Sequence, residues 1–148
     1  MTKLVHIPPP VVALILLALS HGLACLLPYS FDLSQPILAF LFMILGLAVV
    51  LWAGDHFRKK RTTLVPAGEP KALVTDGPYR WSRNPMYLGI VLGLTGIVFL
   101  VGSPAFLLAP AGFYLIIDRI FIPYEEAKLE RRFGSAYAEL KRRVPRWL

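Results

Sequence analysis

The chain has 148 residues, is 56% hydrophobic, carries a formal charge of +7 and has a mean hydropathy of +0.60; soluble domains are roughly 45–50% apolar, so an ordinary water-soluble domain is excluded as the first reading. The basic excess does not read as a nucleic-acid footprint, because the charges flank the apolar runs: seven of the 16 Lys and Arg fall between Arg58 and Arg83 and eight between Arg119 and Arg146. A lone cysteine, Cys25, excludes an internal disulfide and a thiolate metal cluster, and no metal is expected.

No Ser/Gly-rich linker divides the chain, which predicts one domain over residues 1–148. The first apolar run, residues 9–28, has about the 20 residues that cross a hydrocarbon core of ~30 Å. Lys3 and the small residues Gly22-Leu23-Ala24 before Cys25 also have the look of a signal peptide, but Leu26 and Leu27 continue the run, so a retained span is the simpler reading. His21 lies off-centre in this run, as a packed or interfacial histidine would.

A second run, residues 36–54, follows the short connection PYSFDLSQ, so the first two spans are expected to form a tight hairpin. Residues 86–101 and 104–122 flank Gly102-Ser103-Pro104, which stops one helix and starts the next, giving a second hairpin. Between the hairpins, residues 55–85 form a polar loop with RKKR at Arg58 to Arg61 and several Pro and Gly.

The tail, residues 123–148, starts with Pro123 at a helix-opening position and spaces Ala127, Leu129, Phe133, Tyr137, Leu140 and Val144 at helical intervals. An amphipathic helix broken near Gly134 is expected. The N-terminus, the long loop and the tail are basic and the short connections carry no Lys or Arg, so all three basic segments belong in the cytosol. The fold expected is therefore an all-α integral protein of the inner or cytoplasmic membrane, with about four spans in two hairpins and both termini cytosolic.

Polar and aromatic residues crowd into LVTDGPYRWSRNPMYLG, Leu73 to Gly89, at the cytosolic entrance of the third span. Taken singly, Tyr79, Trp81 and Tyr87 suit an interfacial belt, and Arg80 and Arg83 follow the positive-inside pattern. Together, Gly77-Pro78 fixes a turn, Asn84-Pro85 opens a helix, and Arg83, Asn84 and Tyr87 can converge from one cap onto a ligand. The exposed amides of that helix start suit a carboxylate such as that of an amino-acid cofactor. Gly89, Gly93 and Gly96 make one smooth face, chiefly for packing against a neighbouring helix in lipid. Glu125-Glu126 follow the fourth span, where carboxylates suit a first helical turn; they can also project into the same cytosolic pocket.

These segments resemble the isoprenylcysteine carboxyl methyltransferase family and the related phospholipid N-methyltransferases. The resemblance runs through the second half of the chain: LVTDGPYRWSRNPMYLG, an apolar hairpin, then YEEAKLERRFGSAYAELKRRVPRWL, with RTTLVPAGEPKALV leading into it. It implies a cytosolic pocket for S-adenosylmethionine, bounded by the loop motif, the third and fourth helices and the amphipathic C-terminal tail, with S-adenosylhomocysteine as product. Leu73, Val74, Gly77, Pro78 and Tyr79 would line it, Arg83, Asn84 and Tyr87 would contact its polar parts, and Glu125 and Glu126 match the family's paired acidic motif. Carboxyl methyltransferases of the family commonly carry His where this chain has Asn84, and basic residues where it has Phe121-Ile122-Pro123. The stretch RNPMY looks closer to the lipid N-methyltransferases.

The implied activity is methylation of a lipidic or membrane-embedded acceptor, aligned in line with the cofactor and shielded from water. Arg83, Glu125 and Glu126 are the candidate catalytic residues: a glutamate assists proton removal from an amine acceptor, whereas Arg83 positions a carboxylate acceptor. The rival reading is a nonenzymatic membrane scaffold or subunit. A transporter lacks an ionisable residue near the centre of any span, and a nucleotide-dependent reductase lacks a G-x-G-x-x-G fingerprint after a strand. The acceptor's identity and the oligomeric state are not encoded in any motif.

Overall fold

The computed structural model describes residues 4–27, 32–60 and 71–148. Lys3, the start of the first connection, Arg61 and the Pro/Gly-rich part of the long loop lie outside the described residues.

Every regular element among the described residues is a helix or helical turn. Helix α1, Pro9–Leu26, opens with prolines at its first positions, where a missing N–H costs nothing. Helix α2, Pro36–Lys59, runs past the apolar stretch that ends at Gly54. The charged extension, expected as loop, stays helical because Asp55 pairs with Lys59 one turn on (2.6 Å) and basic residues complement the dipole at a helix C-terminus.

Helix α3, Pro85–Val101, starts after Asn84 and ends at Gly102, whose φ of 78° makes the left-handed cap that favours glycine. A 3-10 turn, Pro104–Leu107, leads into α4, Leu108–Ile116; a π-helical turn, Ile117–Phe121, then joins α4 to α5, Ile122–Arg143. The tail is thus continuous with the fourth apolar run instead of starting afresh at Pro123. Pro123 has no N–H to donate backwards, and the widened turn just before it lets the helix carry on. Gly134, at φ 49° and ψ −120°, breaks α5 where the sequence suggested.

By length and composition three helical segments can cross a membrane: α1, α2 and the rod from Pro104 to Arg143; α3 is apolar but shorter, at 17 residues. The apolar part of the rod ends at Ile122, beyond which Lys, Arg and Glu crowd the sequence. Leu14, Ile15 and Leu19 on α1 and Ile37, Phe40, Leu41 and Ile44 on α2 are exposed, as lipid-facing side chains are. The chain is an all-helical integral membrane protein.

Packing departs from two simple hairpins. Helix α2 lies closely on α3, whereas α1 packs mainly on α4 and the turn before it, with α3 a minor neighbour. Glycine decides the first pairing: a Cβ on Gly46 would sit 2.5 Å from the Gly89 carbonyl oxygen, and one on Gly96 2.8 Å from that of Ala39. The direction of a Cβ on Gly93 is open, so the smooth face needs Gly89 and Gly96, with Gly46 opposite. On the other side Leu16 of α1 meets Gly112 of α4, and Val12, Ala13, Phe113 and Ile117 close the main core with Tyr87.

Candidate functional site

The site gathers where the loop enters α3 and the tail crosses beneath it. Gly77 adopts φ 59° to open a 3-10 turn through Arg80, and a side chain there would strike the His56 ring. The turn places Tyr79 against Phe57, ring centroids 5.3 Å apart. Burial, and then the Glu125 charge, push the Tyr79 phenol above its ordinary range, so it remains a neutral hydrogen-bonding group.

Next come three residues interlocked with the tail. Arg83 donates from Nη1 to Glu126 Oε1 and to the Tyr137 hydroxyl (3.1 Å), and from Nε to the Val144 carbonyl (3.0 Å). Its side chain is 10% exposed and that of Glu126 11%, so the pair is shielded from solvent. Among the described residues Nη2 of Arg83 makes no hydrogen bond. Asn84 turns its side-chain amide to the Arg146 carbonyl (3.0 Å) and does not cap α3 with it.

The adjacent glutamates have different surroundings. Both oxygens of Glu126 are committed, one to Arg83 and one to Arg146 Nη2 (2.9 Å). Glu125 instead accepts from the Tyr87 hydroxyl at 2.6 Å. Burial pushes its carboxyl up to about 7, against smaller lowering by the Tyr87 hydrogen bond and the Lys128 charge. A group that titrates near neutrality can take or give a proton.

Two cavities meet here. The smaller, about 100 Å³, is walled by Leu73, Val74, Glu126 and Tyr137 among others. The larger, about 650 Å³, extends between the N-terminal segment, α2 and α3, past Pro9, Leu14, Val50, Met86 and Ile90. They share Phe57, Tyr79, Arg83, Asn84, Glu125 and Leu129. Of the residues singled out from the sequence, Leu73, Val74, Tyr79, Arg83, Asn84, Tyr87, Glu125 and Glu126 border one cavity or both. Gly77 and Pro78 border neither; they shape the turn behind Tyr79.

The tail was expected to bound the pocket, but the sequence did not single out Asp118, Arg146 or Trp147. Arg146 also reaches Asp118 (3.2 Å), which accepts from the Trp147 indole N–H as well (3.0 Å). Asp118 carried the signal: an acid within the fourth apolar run requires a partner.

The phospholipid methyltransferase family model matches residues 34–136. The chain belongs to that family. The match contains all the residues shared by the two cavities, but not Pro9 and Leu14 of α1 nor the tail beyond 136. Among curated relatives, protein-S-isoprenylcysteine O-methyltransferase B of Arabidopsis thaliana is 32% identical over 115 residues, covering 68% of this chain and 55% of that protein. The Xenopus laevis protein-S-isoprenylcysteine O-methyltransferase is 32% identical over 117 residues, 69% of this chain and 38% of its own. That of Schizosaccharomyces pombe is 36% identical over 76 residues, 49% and 31% respectively. The chain therefore spans about half, or less, of the length of these relatives. No solved structure matches it.

Proposed function

We propose that the protein is an S-adenosylmethionine-dependent methyltransferase of a cytoplasmic membrane, termini cytosolic, acting on a lipophilic acceptor. The observation that carries this reading is the wall of Tyr79, Arg83, Asn84 and Glu125 common to a small cleft that also holds Glu126 and Tyr137 and a large, more apolar cavity. A polar donor and a greasy acceptor approaching from opposite sides would meet at that wall. The names of the relatives support methyl transfer, and the apolar cavity supports a membrane-borne acceptor.

The residues present suit such a cofactor. Glu125 offers a carboxylate for an ammonium or a ribose hydroxyl, Arg83 has Nη2 left for a carboxylate, and Leu73, Val74 and Tyr79 provide apolar and aromatic surface for a base. The smaller cleft, about 100 Å³ against the roughly 300–1,000 Å³ of small-molecule sites, would take only part of such a molecule, and the residues it shares with the larger cavity would hold the remainder.

When bound, the sulfonium supplies an activated methyl group for in-line displacement. The chain's task is placement and exclusion of water. Tyr87 fixes the Glu125 carboxylate on the shared wall, Glu126 and Tyr137 fix the Arg83 guanidinium, and the apolar lining keeps water from the acceptor. With an amine acceptor Glu125 takes the proton released; with a carboxylate acceptor, one of the oxygen acceptors that the relatives' name O-methyltransferase allows, Arg83 Nη2 orients it. Glu126, both oxygens engaged, holds Arg83 and takes no part in proton transfer.

The test is transfer of labelled methyl from S-adenosylmethionine into organic-extractable product by protein in nanodiscs made with lipids of its host membrane. Label in product, lost in Glu125→Ala, is the expected result. A folded protein that binds neither the cofactor nor its product would leave the scaffold reading instead.

A further inference from the structure

Three consecutive carbonyls near the C-terminus face three consecutive residues ahead of α3. Val144 accepts from Arg83 Nε (3.0 Å), Pro145 from the Arg83 backbone N–H (3.0 Å), and Arg146 from Ser82 Oγ (3.3 Å) and Asn84 Nδ2 (3.0 Å). This strap is fastened on its far side. Arg146 spans two carboxylates, Asp118 at 3.2 Å and Glu126 at 2.9 Å, and Trp147 donates to the same Asp118 oxygen while its ring lies 4.8 Å from that of Tyr114. Val144 is buried with Tyr137 and Leu140.

Arg146 borders neither cavity, so it can reach a ligand only through other groups. Its fork bridges carboxylates on the π turn and on α5, a geometry that the single point charge of a lysine does not reproduce. Glu126 is thereby held between two guanidiniums, which sets where Arg83 sits; the Arg146 carbonyl sets where Asn84 sits.

Resting on the cofactor reading above, we propose that Arg146 is a positioning residue, fixing the strap and Glu126 and through them the places of Arg83 and Asn84 on the wall between the cavities. Residues that orient a ligand-contacting group from behind typically change affinity or activity about 10–100-fold when lost.

The test uses the full chain in detergent and S-adenosylhomocysteine as calorimetric probe, with folding of each variant checked by its unfolding midpoint. Arg146→Ala should weaken binding at least about tenfold and Arg146→Lys by less. The double variant Arg146→Ala, Arg83→Ala should bind no worse than Arg83→Ala alone, because the two act as one unit. A strap that served stability alone would lower the midpoint but leave the affinity of folded protein unchanged.

Should Arg146→Ala not fold, Arg146→Lys decides. Wild-type affinity in a folded Arg146 variant, with binding measurably weakened in Arg83→Ala, overturns the positioning role and leaves the cofactor reading standing. Additive losses in the double variant overturn it too. No binding by folded wild type overturns both.

Discussion

The Tyr87 hydroxyl lies 2.6 Å from Glu125 Oε1, tying the first turn of α3 to the first turn of α5 on the wall of the larger cavity. The hydrogen bond opposes the effect of burial, which holds the Glu125 carboxyl at about 7. A folded-state pKa above the unfolded value of about 4.5 gives stability that is fully present below pH 4.5 and is lost as pH rises through 7. The loss is on the order of 3 kcal/mol. Glu125→Gln should therefore flatten the fall in unfolding midpoint between pH 5 and 8 that wild type shows in detergent. Equal slopes in the two proteins would contradict the buried carboxyl.

Tyr87→Phe should move the same transition upward by about one pH unit, since a hydrogen bond to a carboxylate favours its charged form. A downward shift would mean that the hydroxyl holds the protonated acid instead.

The neighbouring glutamate should behave in the opposite way. Glu126→Gln leaves Arg83 and Arg146 facing an amide where both had a carboxylate, and losing one partner of a shielded ion pair costs about 3 kcal/mol. Its unfolding midpoint should fall at pH 8, where that of Glu125→Gln rises. If both substitutions moved stability in one direction, the division of labour between the two residues would be wrong.

Two glycines one helix apart separate in the same manner. Gly46→Ala puts a methyl against backbone atoms of Gly89 and Gly93 and should cost roughly 1–3 kcal/mol, as overpacking does. Gly93→Ala meets nothing within 4 Å and should leave the midpoint within about 0.5 kcal/mol of wild type. Urea or heat unfolding in detergent reads both.

Apolar runs announced the helices because lipid imposes a length and composition on each segment, and the breaks at Gly102 and Gly134 followed from backbone geometry. The charged end of α2 was not legible: hydropathy marks where the apolar stretch stops, whereas Asp55 and Lys59 carry the helix further. Nor was the α1 pairing. A short connection suggests adjacency with α2, but Gly46 gives α2 to α3 and leaves Leu16 of α1 to pack on Gly112.

In the site, Arg83, Asn84, Tyr87 and the glutamate pair could be found because they crowd one motif. Their partners could not. Nothing local to Arg146 ties it to Asp118 or to Glu126, 28 and 20 residues away, and the different fates of Glu125 and Glu126 arise from which side of α5 meets the tail.

The most direct measurement is calorimetric titration of S-adenosylhomocysteine into the purified protein, beside a folded Glu125→Ala variant. Saturable binding by wild type, lost or weakened at least about tenfold in the variant, is the predicted result. Folded wild-type protein that takes up no ligand in detergent or in nanodiscs, or a variant that binds as wild type does, would contradict the assignment of the shared wall to the methyl donor.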